Sequence, residues 1–384
     1  PRYFEVMLKN KHYAQAPFLA SRICGICSIS HTLTSLRAVE NAFDVTIPET
    51  AAKLRLLGCH GETLQSHVLH LLFLAAPDFL GKDSVLPLIE EKPEVVQIAL
   101  RLKGVANCLC DIVAGRTTHP VSFHVGGVSA VPKKEDLHLL HKALNRCLID
   151  LDAVEELFAS IDLPEFERET EFVSLKGEND YPFIGGDLVS SDGVKKAEAD
   201  YAAMTREYVV ENNTSKWTRL SRESYAVGAL ARFNNNSRFL HANAARVAAR
   251  FRLTPVNHNP FMNHIAQLVE CFHIVYDALR LVEELLDAPC GEIMAEVVPR
   301  EGEGVGAVEA PRGLLIHHYT FDASGMIRKA DCVVPTTQNN ANIHLDLKDL
   351  VKSFAKEGMN DTKLELLCSM LVRAYDPCVS CSVH

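Results

Sequence analysis

Four cysteines sit in two pairs at opposite ends of the 384-residue sequence, and each pair is followed within a few residues by a histidine. The first stretch is Arg22-x-Cys24-Gly25-x-Cys27-x-x-x-His31. The second is Asp376-Pro377-Cys378-x-x-Cys381-x-x-His384. A Cys-x-x-Cys spacing can set two thiolates on one metal, and two such pairs make a four-thiolate site. Structural zinc would accept these ligands, but zinc modules usually close short local loops, and more than three hundred residues separate these pairs. The escorts Arg22, His31, Asp376 and His384 suit a metal that handles electrons or protons better than an inert one. Soft thiolates serve nickel, iron and zinc alike, so the residues alone stop at a buried multi-thiolate metal site with acid–base neighbours.

The remaining cysteines do not form a disulfide framework. Cys59, Cys147, Cys271, Cys290, Cys332 and Cys368 are single, and Cys108 and Cys110 stand close together. Most fall in apolar helical patterns, where a free cysteine behaves as a small hydrophobe, and a reducing compartment fits best. His60, His67 and His70, with Ser66 beside them, share one face of a predicted helix. Such a face can bind metal, but buried histidines hydrogen-bonded between packed helices are the simpler expectation.

The elements that must position these groups read as mainly helical. Hydrophobic residues make up 47% and charged residues 23% of the chain, enough for a sizeable core. The net charge of −10 and the lack of any basic run argue against nucleic acid and anionic membrane surfaces as partners. No apolar stretch of about 18 residues predicts a membrane span, and the start lacks a signal-peptide pattern. Apolar periodicity predicts helices over 32–43, 48–75, 93–115, 132–161, 240–251, 262–286, 345–354 and 361–374. Residues 164–192 read as a loop or small hairpin, 193–211 as a helix, and 212–236 as irregular, with a turn at Asn234–Asn236. Strands are expected over 314–321 and 326–334, joined by a turn at Asp322-Ala-Ser-Gly325. Gly302, Gly304 and Gly306 ahead of them are not a dinucleotide loop, since the spacing is wrong and a strand follows. Residues 334–340 read as a polar loop. The expected fold is mainly α, one large helical body over 1–384, with a helix-bundle core and a small β-element near residues 300–335.

The two cysteine stretches, taken with Phe4-Glu5 ahead of the first, Glu309-Ala310-Pro311-Arg312-Gly313, and Val334-Pro335-Thr336-Thr337, resemble the large subunit of a nickel–iron hydrogenase along nearly the whole chain. The resemblance implies a Ni–Fe centre whose iron also carries carbonyl and two cyanide ligands. It assigns Cys24 and Cys378 as terminal nickel thiolates, with Cys27 and Cys381 bridging nickel to iron. H2 would split heterolytically there, the proton going to the Cys378 thiolate, with Arg312 as the other candidate base. Asp376 would hold Arg312. Ala310, Pro311, Arg312, Leu315, Val334, Pro335 and Thr336 would line the diatomic ligands, and His31 would donate to a bridging sulfur. Glu5, the Cys332 carbonyl and His384 resemble the family's magnesium (or ferrous iron) site. Electrons would leave through a small subunit carrying iron–sulfur clusters, because this chain has no spare cluster motif.

Two departures refine the resemblance. The family's Arg-x-Glu-Gly-His segment, whose glutamate relays protons, is absent; it is expected before residue 1, so the chain is read as lacking an N-terminal segment. Ser66 stands where many respiratory members carry aspartate, and Gln65-Ser66-His67-x-x-His70 looks more like the cytoplasmic, cofactor-coupled members. Their further acceptor subunits are of flavin, ferredoxin, deazaflavin, NAD(P) or heterodisulfide reductase type. The alternatives are an H2-sensing hydrogenase and a non-catalytic relative like that of respiratory complex I, which lacks the cysteines.

Overall fold

The computed structural model describes residues 2–287, 291–356 and 360–382. The longer elements in chain order are α1 (Arg2–Leu8), α2 (Ser28–Phe43), α3 (Glu49–Val68), α4 (Pro93–Ala114), α5 (Lys134–Ala159), β1 (Glu171–Lys176), β2 (Asp187–Ser190) and α6 (Ala229–Asn236). Then follow α7 (Asn263–Asp287), β3 (Gly302–Ala310), β4 (Gly313–Phe321), β5 (Ile327–Val333), α8 (Pro335–Lys356), α9 (Asp361–Ala374) and the short α10 (Val379–Ser382). The chain is mainly α, as the periodicity predicts.

Helix α7 is the axis of the helical part. Its residues His264 to Val275 are all buried, so it packs on several sides at once: α3, α5 and α6 lie against it. Proline starts α4 at its first residue, and Gly115 ends it with a left-handed φ of 75°. Leu137, Leu140, Leu144 and Leu151 form the buried stripe of α5. The single cysteines Cys59, Cys147 and Cys271 are buried and unpaired in helices, as small hydrophobes; Cys290 lies outside the described residues.

The second layer is the antiparallel sheet β5-β4-β3, laid against α2. Here the expectation falls short by one strand: the glycine run opens β3. A Cβ on Gly304 would come within 2.2 Å of Ala38 O, and one on Gly306 within 2.3 Å of Thr34 O. These glycines therefore let strand backbone pack directly on helix backbone. The expected turn after β4 is present, with the Asp322 carboxylate accepting from Ser324 N at 2.9 Å and Gly325 at φ 77°.

Three further expectations are corrected. Residues 193–211 hold only a four-residue α-helix, Tyr201–Met204, between two-residue strands. Asn234–Asn236 finish α6 rather than forming a turn. Their amides are occupied by neighbours: Asn236 Nδ2 donates to Leu175 O at 2.9 Å and Asn235 Nδ2 to Phe172 O at 3.2 Å. Tertiary partners thus outweigh the usual asparagine preference for turns. Likewise 335–340 is the first part of α8, with Gln338 Nε2 donating to Leu314 O at 2.5 Å and Asn339 Oδ1 accepting from Val227 N at 2.8 Å. The region 164–192 does contain a hairpin, β1–β2.

Candidate metal centre

The two cysteine stretches meet. Cys24 follows a 3-10 turn in extended conformation, and Cys27 leads directly into α2. After α9, Asp376 adopts a left-handed φ of 49° and Pro377 prevents the helix from continuing. Cys378 and Cys381 then fall on either side of the start of α10. Cys24 Sγ lies 3.5 Å from Cys378 Sγ, and Cys27 Sγ 3.5 Å from Cys381 Sγ. All four thiols are buried, in one cluster with Ala310, Leu315 and Val334.

Hydrogen bonds from Cys24, Cys27 and Cys381, then the charge of Arg312, hold the Cys378 thiol far below its ordinary range. Cys27 is pushed up by its sulfur neighbours and by complete burial. Crowded sulfurs cannot all carry charge unless a cation replaces their protons. Four buried thiols in two touching pairs fit a soft metal centre.

A buried arginine covers this pocket. Pro311 and Arg312 are the two residues between paired Ala310 and Gly313, the tip of the β3–β4 hairpin, and Gly313 takes φ 127°. Arg312 Nε donates to Asp376 O at 2.7 Å, Nη2 to Asp376 Oδ1 at 2.8 Å and Nη1 to Ser66 Oγ at 3.1 Å. The expected pairing of Arg312 with Asp376 and the nearness of Ser66 are therefore both present. Thr336 Oγ1 accepts from Cys378 N at 3.0 Å, which leaves its O–H free to donate. Pro311 and Pro335 are buried alongside. A cleft of about 430 Å³, lined by His70, Leu74, Arg373, Asp376 and Pro377, opens beside the arginine's partner.

His31 Nε2 lies 3.8 Å from Cys381 Sγ. Glu5 is half-buried and accepts from Cys332 N at 3.2 Å, so these two expected residues adjoin, while His384 lies outside the described residues. Arg22 is exposed.

Two supports were missed from the sequence. Arg232 of α6 is completely buried and donates to Ala310 O at 2.9 Å and Pro311 O at 3.1 Å, satisfying the carbonyls of a turn that water cannot reach. Its other N–H groups meet Glu270 at 2.6 Å and Glu309 at 3.1 Å. Burial alone would raise Glu270, yet the Arg232 guanidinium outweighs it and holds that carboxyl well below the usual range. Glu62 of α3 accepts from Ile29 N at 2.6 Å and Ser30 N at 2.8 Å, capping α2, whose own Cys27 offers no cap. The histidine face resolves to the simpler expectation. His60 meets Asp277 at 2.7 Å, His67 meets Glu270 at 2.7 Å and His70 meets Gln267 at 2.5 Å, all between packed helices.

A helical body that brings four thiols from its two ends under a buried arginine is a thiolate metal protein. Comparison with known proteins makes the class specific. Residues 2–96 and 194–384 match the family described as nickel-dependent hydrogenase. The alpha chain of sulfhydrogenase 1 from Pyrococcus furiosus is 32% identical over 388 residues, spanning 100% of this chain and 90% of the relative. A Methanothermobacter thermautotrophicus relative, from an F420-non-reducing hydrogenase, is 32% identical over 432 residues, 100% of this chain and 87% of that one. Among solved structures, an NAD+-reducing [NiFe]-hydrogenase in the H2-reduced state superposes with a TM-score of 0.88 at 28% identity, covering 99% of this chain and 91% of the other. A reduced Ni-Fe-Se hydrogenase from D. vulgaris Hildenborough shares the fold, with a TM-score of 0.77 at 19% identity over 99% of this chain and 92% of that one. The chain belongs to the nickel-dependent hydrogenases, and the enzyme is a [NiFe] hydrogenase.

Proposed function

We propose that this chain is the catalytic large subunit of a [NiFe] hydrogenase that cleaves H2 reversibly into protons and electrons. The observation that carries this reading is the buried four-thiol pocket under the Arg312–Asp376 pair. When bound, the Ni–Fe centre, its iron carrying carbonyl and two cyanides, supplies the electrophilic, redox-active metals that polarise H2. Cys24, Cys27, Cys378 and Cys381 would hold it.

The chain's own residues do the rest. Cys378 Sγ takes the proton: it stands in the pocket as the thiolate, 3.5 Å from Cys24 Sγ, and so has a lone pair open to one. Arg312 keeps a fixed positive charge and N–H donors over the pocket, and the Thr336 hydroxyl adds another donor for a cyanide nitrogen. Ala310, Pro311, Leu315, Val334 and Pro335 exclude water. Glu5, the Cys332 carbonyl and His384 would hold a magnesium or ferrous ion, oxygen and nitrogen donors suiting a hard cation.

Electrons would pass to a small subunit carrying iron–sulfur clusters. The apolar Ile26 and Val379, each inside a Cys-x-x-Cys loop, are 40% and 68% exposed, which fits cover by a second polypeptide. Relatives named as alpha subunits support an assembly of several chains. Those named for NAD+ and F420 support a cytoplasmic, cofactor-coupled member with a flavin-, ferredoxin- or heterodisulfide reductase-type acceptor. No described helix is long and apolar enough to cross a membrane.

The test is metal analysis with H2 uptake on the purified complex. Wild type is expected to carry nickel and iron and to reduce a viologen under H2. Cys378→Ser is expected to keep the fold, by circular dichroism, and lose turnover. Near-normal uptake by a metal-loaded Cys378→Ser protein would remove Cys378 as both ligand and base.

A further inference from the structure

Asp376, which holds Arg312 over the thiols, is itself held from behind. Gln267 of α7 donates from Nε2 to Asp376 Oδ2 at 3.3 Å, and Gln267 Oε1 lies 2.5 Å from His70 Nδ1. His70 Nε2 in turn lies 2.8 Å from Arg373 O, near the end of α9. His70, Gln267, Asp376 and Arg312 are all buried. His70 belongs to the π-helical turn Leu69–Ala75 that continues α3, just past the Ser66 that Arg312 also meets.

The hydrogen-bond roles in this series are set from both ends. A carboxylate paired with a guanidinium accepts only, so Gln267 turns its NH2 to Asp376 and its oxygen to His70. The Arg373 carbonyl also accepts only. His70 therefore faces an acceptor at each ring nitrogen, and an imidazole satisfies both only when both nitrogens carry a proton. Charge-assisted donors are strong, which sustains an imidazolium between two oxygens. The ionisable groups around it are engaged elsewhere. On α7, Glu270 is held by Arg232 and His67, and His264, stacked 5.2 Å from His70, is pushed well below its ordinary range by burial and then by His70. Arg373 of α9 pairs through its guanidinium with Asp78. Helix α4 also packs on this turn; its Arg101 and Asp111 are bonded to Asp150 and Thr117, and burial pushes the Cys108 and Cys110 thiols up.

We propose that His70 and Gln267 are positioning residues: the imidazolium of His70 orients the Gln267 amide, the amide holds Asp376, and Asp376 holds the plane of Arg312. A cleft of about 430 Å³ reaches both His70 and Asp376, so the second proton of His70 exchanges with solvent. When that proton leaves Nδ1, the nitrogen becomes an acceptor and the Gln267 amide turns over to donate to it. Gln267 Oε1 then faces the Asp376 carboxylate, and the donor to Oδ2 is lost. The series is a pH-sensitive hold on the arginine, set at low pH and released at high pH. It rests on the reading of Arg312 as the fixed charge over the metal pocket.

Two measurements on the purified complex test this. Nitrogen-15 spectra of the histidine-labelled complex at about pH 6 are expected to show an imidazolium signal that is lost in His70→Leu; a His70 with one bare nitrogen at that pH overturns the proposal. The second is the ratio of H2 uptake by wild type to that by His70→Leu, taken at each pH so that effects common to both cancel. Wild type is expected to be roughly tenfold faster at about pH 6, the scale of a small misplacement at a reacting centre. The ratio is expected to fall toward one by about pH 9, where wild type has released the same hold. A histidine that only fills space would give a ratio that does not change with pH, and that result overturns the proposal. Gln267→Met breaks the series in its middle, is expected to give the same falling ratio, and carries the test if His70→Leu does not load nickel; a ratio independent of pH overturns the proposal there too. A wild-type complex without nickel and iron would overturn the hydrogenase reading and this proposal with it, whereas a failure confined to the spectra or the ratio leaves that reading intact.

Discussion

Arg312 is held by three hydrogen bonds, two to Asp376 and one to Ser66, which together fix the plane of its guanidinium. A lysine can reach one of these partners but cannot hold that plane or keep several donors aimed at the pocket. Arg312→Lys is therefore expected to retain nickel and iron while H2 oxidation falls on the order of 100-fold, the usual cost of losing one fixed donor at a reacting centre. Unchanged turnover in the loaded enzyme would contradict the role given to this arginine. The four cysteines and Asp376 were legible from the spacing of the two terminal stretches, whereas Arg312 and Thr336 were reached only through the family resemblance of the motifs they stand in. Arg232, Glu62 and Gln267 were not legible, because each gains meaning only from a partner the fold brings to it. Arg232 meets Glu270 from 38 positions away and Gln267 meets Asp376 from 109. In sequence, Arg232 is an arginine in a stretch read as irregular and Gln267 a polar residue in a helix.

At the scale of elements, the hairpin tip that carries Arg312 is a buried turn, and Arg232 is what makes it tolerable. Arg232→Met would leave Glu270 and Glu309 buried without their cation and two turn carbonyls without a donor. The expected loss is about 3–5 kcal/mol in chemical denaturation, and a loss near zero would show that the network does not hold the turn. The pH dependence has a definite sign. Glu270 is held below its ordinary value of 4.5, so its stabilising contribution is complete above that value and is lost as the pH falls below it. Glu270→Gln should flatten this acid limb. Helices with an uninterrupted apolar period were readable from the sequence to within a few residues, as α5 and α7 illustrate. Strand β3 and the start of α8 were not, because glycines and polar amides there serve neighbouring backbone rather than local conformation.

At the scale of the molecule, the fold is a device for bringing the two ends of one chain to a single buried point. Cys24 and Cys378 are 354 positions apart and 3.5 Å apart in space. Helix α2 is pinned by Glu62 beneath one pair, while α9 ends beside Arg312 above the other. This junction is proposed to hold nickel together with an iron carrying carbonyl and cyanide. Infrared spectroscopy of the purified complex, with and without H2, tests it most directly, since protein groups do not absorb where those ligands do. One carbonyl and two cyanide bands are expected, shifting when H2 is admitted. A protein that contains only zinc and gives no such bands would contradict it, and the paired cysteines would then be a structural clamp.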